Sequence, residues 1–375
     1  MMSARILRTI SLSAMVAVLA ACSSSPKAPQ PTPLGPAANL MGTNLIWSAQ
    51  VGAGHVGLQP VVAGGRVYAV SAAGALVALD ARSGAVAWRV DLNTPLAAGV
   101  GSDGEIAAVV TRENQLVALR DGREAWRVRL NARSFTAPLV AGKRVFVLTA
   151  DRSVSAYDSA NGARLWTASR PADPLVLSQP GALVAVGDSL VAGMSGRLAG
   201  FNPDNGAVRW EVPLASPRGT NEIERLVDIV GPVARLGSSV CARAYGAVVG
   251  CVDAARGVPV WAKPAQGTTG VHGDDRLVFG SEADGRLTAW RRDSGEPAWT
   301  IDRLKHRGLS APLALGRVIA VGDSTGLVHL VSREDGSEMT RLSTDGSPVL
   351  VQPVLAGDSL VVQTRNGGLY AWRPQ

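Results

Sequence analysis

Apolar residues along this chain come in short runs, each closed by a turn signal. The first clear set is Gln59-Pro60-Val61-Val62, Arg66-Val67-Tyr68-Ala69-Val70, Ala75-Leu76-Val77-Ala78-Leu79-Asp80 and Ala85-Val86-Ala87-Trp88. Gly-Gly, Ala-Ala-Gly and Ala-Arg-Ser-Gly separate them. Runs this short, rich in β-branched residues and bounded by turn formers, predict four antiparallel strands.

The set repeats. A glycine four residues before a tryptophan recurs at Gly84/Trp88, Gly122/Trp126, Gly162/Trp166, Gly206/Trp210, Gly257/Trp261 and Gly295/Trp299. A further copy beginning at Gly336 puts Thr340 in the tryptophan slot. Ala137-Pro138-Leu139-Val140, Ala311-Pro312-Leu313-Ala314 and Gln352-Pro353-Val354-Leu355 open later units as Gln59 to Val62 opens the first. The turn before the last strand reads Ser-Ala-Asn-Gly at 159–162, Pro-Asp-Asn-Gly at 203–206 and Arg-Asp-Ser-Gly at 292–295. Glycine supplies positive φ there, and Asp or Asn bonds the local backbone.

A four-stranded sheet of this size cannot bury both faces alone; stacking the sheets around an axis can, which is the logic of a β-propeller. The outer-strand marks are Trp47, Trp88, Trp126, Trp166, Trp210, Trp261, Trp299 and Thr340, with the tryptophans expected to fill the gaps between blades. After Thr340, residues 351–372 supply only three more strands, and Asn44-Leu45-Ile46-Trp47 is the available fourth. The expectation is an all-β, eight-bladed β-propeller over 44–375, four antiparallel strands per blade. Its ring closes by pairing the N-terminal strand with the C-terminal blade, which removes the last open edge.

The start of the chain is different. Arg5 and Arg8 precede a short apolar run, Ile10 to Ala20, too short to span a membrane and flanked like a secretory signal. It ends in Leu19-Ala20-Ala21-Cys22, which resembles the lipobox of bacterial lipoproteins. That resemblance implies a signal peptide over 1–21, lipidation of Cys22, and a flexible tether over 22–43. Ser23 after the cysteine, rather than aspartate, implies the outer membrane, with the body facing the periplasm. The formal net charge is +7, and without Arg5 and Arg8 it is 7 − 2 = +5, spread with no dense Lys/Arg block. Nucleic-acid binding is therefore not expected. The densest basic stretch, Arg303-Leu304-Lys305-His306-Arg307, reads as a solvated loop between blades.

With Cys22 committed to lipid, Cys241 and Cys251 remain, on the two inner strands of the fifth blade. With a turn at Gly246 they would face each other as Ala69 and Ala78 do in the first blade, leaving open a cross-strand disulfide or two buried thiols. His55, His272, His306 and His329 are too scattered for a zinc site. No Ser/His/Asp set, phosphate-binding loop or metal-ligand cluster is legible, so neither catalysis nor a cofactor is expected.

The repeats resemble the quinoprotein-type propeller repeat, and with the lipobox and tether they resemble the BamB family of outer-membrane assembly lipoproteins. The resemblance implies a non-enzymatic scaffold, a monomer within a hetero-oligomeric complex. It would bind the barrel-assembly subunit of the β-barrel assembly machine and help unfolded outer-membrane protein clients reach it. Alternatives are a propeller lipoprotein binding a small ligand or peptidoglycan fragment, and a quinone-cofactor dehydrogenase. The latter lacks support, because adjacent cysteines and long insertions are missing.

Spacings between the eight marks are 41, 38, 40, 44, 51, 38 and 41 residues, so the two longest are consecutive. Extra length in neighbouring repeats usually maps to loops on one face, often the binding face. The excess falls at 170–178 and 218–228, which match the family's partner-binding loops. Leu175 and Leu177 fall on its apolar contact positions, and Glu222-Ile223-Glu224-Arg225-Leu226-Val227-Asp228 is close to its acidic motif, with Asp228 on a contact aspartate. Ser178 and Val230 depart from the pattern, standing where the family often has arginine and a second aspartate. The partner-binding set is thus Leu175, Leu177, Glu222, Arg225 and Asp228. A linker with packed leucines, and a charged surface turn or short helix, remain the plainer readings of the two loops.

Overall fold

The computed structural model describes residues 29–170, 175–216 and 226–375. Among these residues, every strand belongs to one of eight four-stranded antiparallel sheets. Seven are simple meanders: blade 1 over 61–91, blade 2 over 96–129, blade 3 over 139–169, blade 4 over 183–213, blade 5 over 229–264, blade 6 over 271–301 and blade 7 over 313–343. Blade 8 takes three strands from 354–374 and its outer strand from Thr43–Gln50. Asn44 pairs with Arg373 and Trp47 with Ala371, so the two ends of the chain close the ring as expected.

The buried apolar side chains form eight clusters, one in each gap between neighbouring blades. Successive side chains of a strand point to opposite faces. Val67 and Ala69 of blade 1 therefore join the seam with blade 8, while Tyr68 and Val70 join the seam with blade 2. Both faces being covered, the inner strands read as unbroken apolar runs.

The glycine–tryptophan repeat has a physical cause that spacing alone does not reveal. Each tryptophan packs on the glycine of the following blade. A Cβ at Gly84 would lie 2.6 Å from the Trp47 ring, one at Gly206 2.5 Å from Trp166, and one at Gly295 2.5 Å from Trp261. Most of the indole N–H groups also donate to a carbonyl of that next turn: Trp126 to Ser159 at 2.9 Å, Trp166 to Pro203 at 2.9 Å and Trp261 to Arg292 at 2.7 Å.

The exception explains itself in the same terms. Blade 7 faces blade 8, where the turn before the outer strand is replaced by the two chain ends, so no glycine turn awaits a tryptophan. Thr340 occupies the slot, its hydroxyl 3.5 Å from Asn39 Oδ1, and the Leu40 N–H donates to the Met339 carbonyl at 2.7 Å. Residues 32–41, read above as tether, are thus laid against the ring. The Thr32 N–H bonds Lys305 O at 3.0 Å, Leu34 packs in the seam of blades 6 and 7, and Arg341 donates to the carbonyl of Gly35 at 2.9 Å.

Candidate functional site

Connections between blades and the turns between the second and third strands of each blade emerge on one face. The described parts of the two long connections that lead into blades 4 and 5, residues 175–182 and 226–228, come together there, and Gly181 bridges Val230. Cys22, Glu222 and Arg225 lie outside the described residues. Leu175 is exposed, Leu177 and Asp228 are half-buried, and the structure brings all three together.

What brings them together is Arg152, which sequence reasoning missed. Its side chain is nearly buried and forms an ion pair with the Asp228 carboxylate through Nη1. Its Nη2 donates to the Leu175 carbonyl at 3.1 Å. The second Asp228 oxygen accepts the Leu177 N–H at 2.9 Å, and the Asp228 carbonyl accepts the Tyr245 N–H at 2.9 Å. Both carboxylate oxygens therefore work inward. Asp228, expected as a contact for a partner, serves here as a brace that fixes the backbone on either side of Leu175 and Leu177.

A signal for Arg152 exists in the repeat. The equivalent turn position is Gly74, Asn114, Gly285, Gly326 or Gly367 in other blades, all with positive φ. Arg152 also takes φ +64°. Left-handed backbone costs a non-glycine residue about 1–2 kcal/mol. A long cation in that slot is explained by the bonds its side chain makes. Replacing Arg152 by alanine strands Asp228 and unpins Leu175. We expect a loss of about 1–3 kcal/mol. Hydrogen exchange should show faster exchange of the Leu177 amide, with blades 1 and 7 unaltered.

Cys241 and Cys251 stand directly opposite each other in blade 5 and are joined by a disulfide. Both are fully buried in the seam with blade 6. The parallel drawn with blade 1 is off by one place, because Ala69 pairs with Val77 and Ala78 with Tyr68. The basic stretch at 303–307 is largely engaged inside the protein. Arg303 donates to Gly336 O, Lys305 lies 3.4 Å from Asp302, and Arg307 is buried against Asp323 at 2.7 Å. Arg307 also reaches the Thr32 carbonyl at 3.1 Å, tying residues 32–41 to blade 7.

The buried titratable groups have structural partners. Burial alone would raise the Asp323 carboxyl, yet hydrogen bonds from His329, Thr325 and Arg307 hold it well below the usual carboxylate range. The carboxylate oxygen that Thr325 bonds also accepts the Leu327 N–H at 3.0 Å, the turn-capping role that Ser71 and Thr111 play in blades 1 and 2. His272 is depressed to about 4, first by burial and then by Arg292, with Asp274 opposing. Its Nδ1 accepts the Ala314 N–H at 3.1 Å, which requires the neutral ring. Because the folded pKa is below the unfolded one, the unfolded chain binds the extra proton between pH 6.5 and about 4. Stability should fall as pH drops through that window, by about 3 kcal/mol at most, and a His272→Gln variant should flatten that slope in urea unfolding. Among the described residues, no three His, Cys, Asp or Glu side chains are grouped to hold a metal ion.

Fold and site together define an eight-bladed β-propeller that carries a braced connection, residues 175–177, on one face. A family model described as outer membrane protein assembly factor BamB matches residues 72–301. An outer membrane protein assembly factor BamB from Burkholderia pseudomallei is 37% identical over 371 residues, covering 98% of this chain and 97% of the relative. The chain belongs to the BamB family. The crystal structure of BamB from Moraxella catarrhalis superposes with a TM-score of 0.81 at 26% identity, covering 88% of this chain and 100% of that one. Quinohemoprotein alcohol dehydrogenase from Comamonas testosteroni shares the fold alone, with a TM-score of 0.68 at 15% identity, over 89% of this chain and 77% of that one.

Proposed function

We propose that this protein is a non-enzymatic scaffold of the outer-membrane β-barrel assembly machine, anchored through a lipidated Cys22 at the periplasmic face of the outer membrane. Its partner is the barrel-assembly subunit, and its role is to help unfolded outer-membrane proteins reach that subunit. Membership of the BamB family over nearly the whole chain carries this reading. The docking element is the connection bearing Leu175 and Leu177, held in shape by Arg152 and Asp228; Glu222 and Arg225, outside the described residues, are assigned to the same contact on the family resemblance alone.

The physical case for that element is pre-organisation. An exposed leucine contributes to binding by burying apolar surface, about 25 cal/mol per Å². Loops that must first be ordered lose part of that gain. Here the ordering is built in, because the backbone at 175 and 177 is already bonded to a nearly buried ion pair. The mechanism is non-covalent throughout: the scaffold holds the assembly subunit and raises the local concentration of clients.

Co-purification tests this directly. Detergent-solubilised protein from its own cells is expected to bring down the barrel-assembly subunit, and Leu175→Ala/Leu177→Ala to lose most of it while keeping its unfolding temperature. Recovery by both would move the docking element elsewhere, and recovery by neither would overturn the assembly reading. Cys22→Ala should shift the protein from the membrane to the soluble fraction.

A further inference from the structure

Beside the Leu175–Leu177 loop lies a cavity of about 410 Å³, the size of a pocket that takes a few side chains. It opens on the same face. Ser178 forms part of its wall, and Phe135 lines both this cavity and the smaller recess beneath Leu177. Arg112, from the turn between the second and third strands of blade 2, and Arg133, from the connection between blades 2 and 3, stand at its sides. Val56, Phe135 and Pro180 give it apolar wall.

Its charge is unbalanced. No carboxylate is among the described residues lining it. Arg112 and Arg133 are exposed, and among the described residues neither guanidinium has a hydrogen-bond or ion-pair partner. Most other arginines of the same face are occupied: Arg152 by Asp228, Arg286 by Asp284 and Arg307 by Asp323. The backbone carrying the two free cations is nevertheless fixed. The Arg112 N–H donates to Pro95 O at 2.8 Å, and the Arg133 carbonyl accepts the Ala150 N–H at 2.7 Å, one turn from Arg152. The Ser134 hydroxyl is held by Leu148 O at 2.8 Å. On the opposite wall the His55 ring bridges Leu96 O at 3.3 Å and the Gly57 N–H at 3.1 Å.

We propose that this cavity receives an acidic segment, carboxylates flanked by apolar side chains, of the protein that docks on the Leu175–Leu177 loop. The inference rests on the docking reading above and extends it to a second, electrostatic contact. Two guanidiniums on fixed backbone favour carboxylates, which they can bind through paired hydrogen bonds. The neighbouring Val56 and Phe135 take the apolar side chains between them. Continuity of the cavity wall with the loop places both contacts within reach of one partner. Rim charges of this kind act mainly on association rate and salt dependence.

The test uses full-length protein and the purified barrel-assembly subunit, both in detergent, titrated at 50 and 300 mM NaCl. Arg112→Glu/Arg133→Glu is expected to raise Kd tenfold or more at the lower salt and to flatten the salt dependence. Arg112→Gln/Arg133→Gln should do the same more weakly. Both side chains are exposed, so the unfolding temperature should hold. Wild-type binding by the charge-reversed protein at both salt concentrations, with Leu175→Ala/Leu177→Ala still weakened, would overturn the cavity proposal and leave the docking loop standing. Absence of binding by the wild type would overturn the docking reading and this proposal with it.

Discussion

Replacing Glu282 by alanine is expected to destabilise the protein by about 3–5 kcal/mol, the cost of leaving a buried charge without its partner. Arg243 of blade 5 is fully buried, and its Nη2 lies 3.0 Å from Glu282 of blade 6. Its Nε and Nη1 have no partner among the described residues. Burial pushes the guanidinium down from its ordinary value, and Glu282 opposes that shift. Glu282 also accepts the Gln266 N–H. Removing it strips the guanidinium of its last hydrogen bond and leaves a backbone donor unmatched. The site is shaped around the arginine: a Cβ at Gly267 would lie 1.5 Å from Nη1, and one at Gly280 2.3 Å from Nη2. Urea unfolding should show the loss, with Glu282→Gln intermediate. Arg243→Met/Glu282→Leu should recover much of the stability, because replacing a whole buried pair is tolerated better than breaking it. Equal stability of Glu282→Ala and wild type would contradict this account of the seam.

The second large effect is expected at Trp261. Its ring is buried between blades 5 and 6, packs on Gly295 and donates to Arg292 O at 2.7 Å. Trp261→Ala should cost about 3–5 kcal/mol, the usual range for losing a large buried aromatic side chain. A finer contrast separates packing from hydrogen bonding. The Trp88 ring occupies the same slot against Gly122, yet its N–H has no partner among the described residues. Trp261→Phe should therefore cost about 1 kcal/mol more than Trp88→Phe, the net worth of one hydrogen bond. Equal losses would mean that packing alone sets the role of the slot.

Most of the architecture was legible because each blade repeats one physical problem. The glycine and tryptophan marks are visible in sequence as neighbours four apart, but their contact is with the adjoining blade. The repeat is strict because both partners must be present in every copy. Thr340 stands in the tryptophan slot at the place where blade 7 meets the strand Thr43–Gln50 and the residues before it. Strand pairing of Thr43–Gln50 followed from counting, since three strands leave one edge open.

The candidate site was legible only in part. Loop lengths singled out two successive connections, and the resemblance pointed to Leu175, Leu177 and Asp228 within them. The inward role of Asp228 was not legible, because its partner Arg152 lies 76 positions away in another blade. A comparison of turn positions would have found it, arginine standing where glycine or asparagine recurs. The Arg243–Glu282 pair, 39 positions apart, leaves no periodic trace. Gly267 and Gly280 are its only mark, and in a chain with 42 glycines they do not stand out.

The central claim is that the braced connection is the surface through which the protein meets its assembly partner. Site-specific photo-crosslinking in living cells tests it most directly, with a crosslinking residue placed at Leu177 and, separately, at the exposed Val86 on the outer strand of blade 1. The account predicts a crosslink from position 177 to the barrel-assembly subunit, lost when Arg152→Ala releases the loop, and none from position 86. A crosslink to that subunit from position 86, with none from 177, would contradict it.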